Sequence, residues 1–310
     1  MKKISVIGAG NVGTATTRSL AIKELSNEIA LIDIRQGVAE GNALDIQEAA
    51  PLLKFNTRVT GHSDLLAIDK SDLIIITAGH PRKPGMSRSD VLSTNIPIIY
   101  DIADNIIRLA PEALILVVTN PIDSLTYLLW KKLQLNRQRI VGLGGVLDTS
   151  RMASFIALET GLSTHDISTL VLGGHGDSML PMPRFSTVNG IPIEYLLDQK
   201  TIAKIVERTR FAGAEILEQR KFSAYETPAA AIETMVTSII RDHKQILPCV
   251  AILDGEYGQK NIAMSVPVQL GKNGIEKIIE LPLLEQELAL LEKSATAIIH
   301  DLAKVSNQID

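Results

Sequence analysis

Short runs of Ile, Leu and Val recur through the first half of the chain, at residues 4–7, 29–32, 73–77, 114–119 and 140–143. Polar residues do not alternate with the apolar ones inside these runs. That pattern predicts parallel strands covered on both faces rather than a sheet with one wet side. Between the runs lie stretches with helical spacing, at residues 12–25, 38–50, 91–109 and 123–133. Strand alternating with helix is the signature of a doubly wound α/β sheet.

The pattern changes near Gly144-Gly145. Beyond it the sequence predicts strands at 168–172 and 184–188, long helices at 202–220 and 228–242, and further strands at 262–270 and 275–281. From residue 283 onward, Leu284, Leu288, Leu291, Ala295, Ile298 and Leu302 recur at gaps of three and four, the stripe of an amphipathic helix laid on a core. The expected organisation is an α/β Rossmann-type doubly wound domain at 1–143, followed by an α+β domain at 144–310 that shares an interface with it. No repeat, low-complexity tract or flexible linker interrupts the pattern.

Charge and composition narrow the function classes. A formal net charge of −4 and a pI near 5.9 give no electrostatic case for nucleic acid or an anionic membrane. No apolar stretch approaches the roughly 20 residues that span a bilayer, and the first residues lead into a strand rather than a signal sequence. A single cysteine, Cys249, excludes an intramolecular disulfide framework and suits a reducing compartment. It lies in the apolar run 247–253, where packing is the expected role. The expectation is a cytoplasmic protein.

Gly8-Ala9-Gly10-Asn11-Val12-Gly13 follows the first strand and opens the first helix. Gly8 permits a tight turn, Gly10 lets backbone approach a pyrophosphate, and Gly13 lets helix pack close to strand. The helix terminus offers unpaired N–H groups and positive dipole to phosphate. Asp33 ends the second strand twenty residues after Gly13. Its carboxylate suits ribose hydroxyls and repels a 2′-phosphate, which favours NAD over NADP; Arg35 beside it is a counterweight.

Four further features carry chemistry. Arg82 and Arg88 lie six apart on a Pro/Gly-punctuated loop, residues 81–90, after the strand at 73–77. Each guanidinium is a planar fork that pairs bidentately with carboxylate, and such a loop can also close as a lid; taken alone it better fits a solvated basic edge of a sheet. His175 sits among glycines in Gly173-Gly174-His175-Gly176-Asp177, at a strand end where ligands approach backbone. Asp148 and Arg151 share one helical face, which fits a local ion pair or a paired site. Asn120, before Pro121, fits a turn or a ligand contact at the carboxyl end of a strand.

Together, and in order along essentially the whole chain, these motifs resemble the lactate/malate dehydrogenase family, within it the lactate-dehydrogenase-like malate dehydrogenases. The resemblance also takes in Thr119-Asn120-Pro121, Leu247-Pro248-Cys249-Val250 and Asp254-Gly255-Glu256-Tyr257-Gly258. It implies an NAD-dependent dehydrogenase that interconverts (S)-malate and oxaloacetate, with lactate dehydrogenase or a dual-specificity enzyme as the alternative. It implies His175 as proton acceptor, Asp148 as the carboxylate that holds the imidazole and favours its protonated form, and Arg151 as the clamp on the C1 carboxylate. Arg88 is implied as the lid arginine that polarises the carbonyl, and Asn120 as a partner of the reacting oxygen. Arg82 occupies the position that grips the second carboxylate in malate enzymes and is usually glutamine in lactate enzymes. Gly8, Gly10, Asn11, Val12, Gly13, Asp33, Asn95, Thr119 and Asn120 fall to the cofactor side, and no metal is implied. A homo-oligomer is implied as well, read here as a tetramer, with dimers also occurring in the family.

Three departures from the family pattern stand out. Phe222 and Glu226 flank Ser223-Ala224-Tyr225, a segment expected to border the substrate pocket, and His80 before Pro81 is larger than the small residue often found there.

Overall fold

A computed structural model describes residues 1–81 and 85–305. Its first half runs β1 (Lys3–Ile7), α1 (Asn11–Ile22), β2 (Glu28–Ile32), α2 (Val38–Glu48), the single turn α3 (Ala50–Leu53), β3 (Arg58–His62), β4 (Leu73–Ile76), α4 (Arg88–Leu109), β5 (Leu114–Val117), α5 (Ile122–Leu133) and β6 (Ile140–Gly142). The strands lie in the order β3-β2-β1-β4-β5-β6, every neighbouring pair parallel. This is the doubly wound order, with its switch point between β1 and β4. Ile4, Ile29, Leu73–Ile76 and Ile115 are wholly buried. Helices on both faces cover them, which is why the runs read as continuous rather than alternating.

The second half runs α6 (Gly145–Thr160), β7 (Ile167–Ser168), β8 (Val171–Gly173), β9 (Met179–Pro181), β10 (Thr187–Val188), β11 (Ile191–Pro192), α7 (Gln199–Arg220), α8 (Glu226–Ile240), β12 (Gln245–Asp254), β13 (Lys260–Gly271), β14 (Gly274–Ile278) and α9 (Glu285–Lys304). It does not form a sheet apart. β12 joins β6 antiparallel at Val250 and Gly142, and the sheet continues through β13, β8 and β9, with β14 on β13. Among the described residues this makes one eleven-stranded sheet beside a small sheet of β11, β10 and β7. The change of pattern at Gly144-Gly145 is thus a change from parallel to antiparallel pairing inside one sheet. A smaller core of Met152, Ile156, Val171, Met179, Val188, Ile193, Ile202 and Ile205 fills the space between α6, α7 and the small sheet.

Several boundaries differ from the sequence expectation. Helix α4 starts at Arg88 rather than residue 91, because Ser87 and Asp90 form a capping box: Ser87 Oγ accepts from Asp90 N at 3.1 Å and Asp90 Oδ2 from Ser87 N at 2.8 Å. Arg88 therefore belongs to the first turn of a helix and not to a loop. The expected strand at 184–188 is a 3-10 turn (Pro183–Phe185) followed by the two residues of β10. Strand β3, an edge strand with a mixed polar sequence, and β12 were not anticipated as strands.

Candidate active site

The carboxyl ends of β1, β2, β4 and β5 open onto a crevice. After β1 the chain turns at Gly8 (φ +107°), whose N–H donates to Ile32 O at 2.7 Å. A side chain at Gly8 would meet Ala78 N at 2.6 Å, and one at Gly13 would meet Gly8 O at 1.8 Å, so strand and helix touch through bare backbone. Gly10, by contrast, faces open space. It caps α1 without a side chain, and no acidic residue stands in the first turn, so N–H groups there remain for an anion. Thr77 Oγ1 lies 2.9 Å from Gly8 O and fastens the turn to β4; nothing in the sequence pattern had singled Thr77 out.

A cavity of about 450 Å³ runs along this turn, lined among others by Gly8, Gly10, Asp33, Arg35, Ile98 and Ile102. The cradle fits a dinucleotide: glycine backbone for a pyrophosphate, a carboxylate at the end of β2, and apolar walls for an aromatic base. The Asp33 carboxylate is fully engaged. Oδ1 accepts from Arg35 N at 3.0 Å and Arg35 Nε at 2.9 Å, and Oδ2 from Ala9 N at 2.9 Å and Arg35 Nη2 at 3.0 Å. Hydrogen bonding by Arg35 holds the Asp33 carboxyl at about 2, although burial opposes this.

A second cavity, about 490 Å³, adjoins the first and is lined by Val12, Thr119, Asn120, Arg88, His175, Ser223 and neighbouring residues. His175, beyond β8, places Nδ1 2.8 Å from Asp148 Oδ2. The carboxylate can only accept, so Nδ1 carries the proton and Nε2 is left for the cavity. Asp148 lies in the first turn of α6, 1% exposed, and its Oδ1 accepts from Arg151 Nη1 at 3.1 Å. The i,i+3 pair and the histidine thus form one chain of contacts. Arg151 stands behind Asp148, close to Gly213 of α7, with its buried Nε unpartnered among the described residues.

Asn120 ends the segment after β5 and is exposed to the cavity. Thr119 Oγ1 donates to Ala78 O at 2.7 Å. Asn95 is wholly buried in α4 and spends its side chain on the loops: Oδ1 accepts from His80 N at 2.8 Å, and Nδ2 donates to Asn120 O at 2.9 Å and His80 O at 3.2 Å. Asn95 thereby ties together the two loops that form the cavity wall. Arg82, together with Lys83 and Pro84, lies outside the described residues.

Two acidic residues unremarked in the sequence reach Arg88. Asp123 Oδ2 accepts from Arg88 Nη2 at 2.9 Å, and Asp301 Oδ2 lies 3.4 Å from Arg88 Nε. Asp123 sits three residues after Asn120 in the first turn of α5, a place where an acid is commonplace for capping reasons. Asp301 is on the last helix and gave no local signal. The departures resolve differently. Ser223 lines the second cavity, but Glu226 faces a separate one beside Gly10, Asn11 and Arg18. Phe222 stacks on Tyr225 with Arg220 over both rings, and His80 lines both cavities of the site.

Residues 2–142 match the family model described as lactate/malate dehydrogenase, NAD binding domain, and residues 145–309 match that of the alpha/beta C-terminal domain of the same family. A malate dehydrogenase of Nitrosococcus oceani is 55% identical over 307 residues, covering 99% of each chain. Among solved structures, the malate dehydrogenase of Salinibacter ruber aligns with a TM-score of 0.94 at 40% identity, covering 99% of this chain and 100% of that one. A lactate dehydrogenase of Cryptosporidium parvum, complexed with lactic acid and nicotinamide adenine dinucleotide, aligns with a TM-score of 0.95 at 35% identity, covering 99% and 98%.

Proposed function

The chain belongs to the lactate/malate dehydrogenase family, and we propose that it interconverts (S)-malate and oxaloacetate with NAD as its cofactor. The observation that carries the reading is the 2.8 Å contact between His175 Nδ1 and Asp148 Oδ2 at the wall of a cavity continuous with the dinucleotide cradle. When bound, the nicotinamide supplies the hydride acceptor for oxidation of an alcohol.

The chain's own residues do the rest. His175 Nε2 takes the hydroxyl proton of malate and returns it in the reverse direction. Asp148 fixes the ring and stabilises the imidazolium as it forms. Arg151 clamps the C1 carboxylate, and Arg88 meets the charge that builds on the substrate oxygen during reduction. Asn120 donates to the same oxygen. Gly8, Gly10, Asn11, Val12 and Gly13 cradle the pyrophosphate and Asp33 takes the adenine ribose, while Thr119, Asn120 and Asn95 frame the nicotinamide side.

Arg82 sets the substrate. Oxaloacetate offers it a second carboxylate, where pyruvate offers only a methyl group. A guanidinium closed over pyruvate would be desolvated and unpaired, costing on the order of 2–5 kcal/mol. Residues 1–143 act as the cofactor domain and 144–310 as the substrate domain, assembled as a homotetramer in the cytoplasm. No helix among the described residues is long and apolar enough to cross a membrane.

The test is a pair of initial rates of NADH oxidation, with oxaloacetate and with pyruvate, at neutral pH. A specificity constant roughly 10²-fold or more in favour of oxaloacetate is expected. Preference for pyruvate would move the assignment to lactate dehydrogenase, and no turnover of either would end it.

A further inference from the structure

One carboxylate in the site has no role in the reaction just described. Asp123 is wholly buried, and its Oδ2 accepts from two donors at once: Arg88 Nη2 at 2.9 Å and the backbone N–H of His175 at 3.0 Å. Its Oδ1 is also buried and has no hydrogen-bond partner among the described residues. Burial pushes this carboxyl up from the usual range, Arg88 and His175 pull it back, and Asp148 adds to the rise. A half-satisfied carboxylate in such a place is expensive to fold around, and an apolar residue would serve packing better.

The geometry around Arg88 says what the carboxylate does. Asp123 takes Nη2 and Asp301, on α9, takes Nε, while Ser89 Oγ donates to Asp301 Oδ1 at 3.2 Å. The remaining amino group, Nη1, lies on the Gly176 side, 3.6 Å from where a side chain on Gly176 would begin. Two carboxylates therefore hold two nitrogens of the fork and leave the third toward the His175 segment and the cavity. The oxygen that holds Nη2 also holds the main chain of His175. The main chain that carries the proton acceptor and the guanidinium that meets the oxyanion are thus tied to a single atom.

We propose that Asp123 is a positioning residue for the dehydrogenase reaction, setting the Arg88 guanidinium and the His175 main chain in one fixed relation, with Asp301 as the second carboxylate on Arg88. The inference rests on the proposed function above. It assigns no contact between Asp123 and substrate; Asp123 acts through Arg88 and His175.

Asp123→Asn keeps the shape and an acceptor oxygen but removes the charge. Misplacement of a catalytic fork by about 1 Å costs on the order of 10²-fold, so kcat/KM for oxaloacetate should fall by about that factor, with the NADH dissociation constant within about twofold of wild type. A double-mutant cycle with Arg88→Gln separates positioning from mere packing. Once the fork is gone, only the hold on the His175 main chain remains to be lost, so Asp123→Asn should cost clearly less than it does with Arg88 in place. Full additivity, or loss of NADH affinity in step with activity, would overturn the proposal. Should Asp123→Asn not fold, Asp301→Asn decides: a rise in oxaloacetate KM of about 3- to 10-fold, as for loss of one charged contact, supports it, and an unchanged KM refutes it. Wild-type protein silent with oxaloacetate would instead remove the proposed function itself.

Discussion

His175 and Arg151 share no hydrogen bond among the described residues, yet both bind the same carboxylate: Asp148 gives Oδ2 to the imidazole at 2.8 Å and Oδ1 to the guanidinium at 3.1 Å. One buried anion thereby orients both side chains, the proton acceptor and the substrate clamp of the proposed function. Asp148→Asn can present its amide N–H to Nδ1 and so favour the wrong tautomer. We expect kcat to fall on the order of 10²–10⁴-fold while NADH binding, followed by fluorescence titration, holds. Retained turnover would show that Asp148 does not set the tautomer.

Arg151→Lys tests the clamp. Lysine keeps the charge but loses the planar fork that matches a carboxylate. The oxaloacetate KM should rise on the order of 10- to 10²-fold, with a smaller change in kcat, in steady-state assays at saturating NADH. A KM that stays put would mean Arg151 serves only as the ion-pair partner of Asp148.

Arg82→Gln tests substrate choice. The ratio of specificity constants, oxaloacetate over pyruvate, should drop on the order of 10²-fold or more, chiefly through the loss on oxaloacetate. Equal losses on both substrates would deny Arg82 the discriminating role.

All four acceptor positions of Asp33 are taken, three of them by Arg35. On the proposed function, ribose hydroxyls that bond Asp33 would have to displace Arg35. Arg35→Ala should tighten NADH by about 2- to 10-fold, the size of a net hydrogen bond, measured as the dissociation constant. The same variant has a pH signature. A carboxyl held at about 2 in the folded protein stabilises it above the ordinary carboxylate range, and that contribution is lost as pH falls from about 4 toward 2. Urea titrations should show wild type ahead by no more than about 1 kcal/mol at pH 7, the Arg35 side chain being largely exposed, with the gap narrowing at pH 3. A gap that widens on acidification would contradict the ion pair.

Cys249 is fully buried in β12, and burial alone pushes its thiol pKa up. A disulfide reagent at pH 8 should label no thiol in the native protein and one per chain in denaturant. Fast native labelling would show that β12 opens.

Much of the candidate site's layout was legible because its residues are local in sequence. Gly8, Gly10 and Gly13 stand within six residues and Asp33 at the end of the next strand, so a linear pattern captures the cradle. His175, Asp148 and Arg151 were legible only as a set, through their resemblance to the family. Asp123 and Asp301 were not legible at all. Their partner is Arg88, 35 and 213 positions away, and no periodicity marks such a meeting. In the fold, buried parallel strands announced themselves, while β3 hid because Arg58-Val59-Thr60-Gly61-His62 is an edge with only Val59 buried. β12 hid behind Pro248, which argues against a central strand. Pro248 stands opposite Pro267, a pairing in which neither residue is asked for the N–H it lacks, and β6 meets β12 only at Val250.

The pairing of β6 with β12 also sets a length. Because strands run in one sheet from β2, which leads to Asp33, to β8, which leads to His175, the two ends of the crevice cannot drift apart without breaking main-chain hydrogen bonds. The sheet is a ruler laid under the crevice: it fixes how far His175 stands from Asp33, the two residues that the proposed function makes proton acceptor and ribose partner. A dinucleotide of one length bridges that distance. On the proposed function, preference for a whole dinucleotide over a fragment of one would then follow from strand pairing as much as from any side chain.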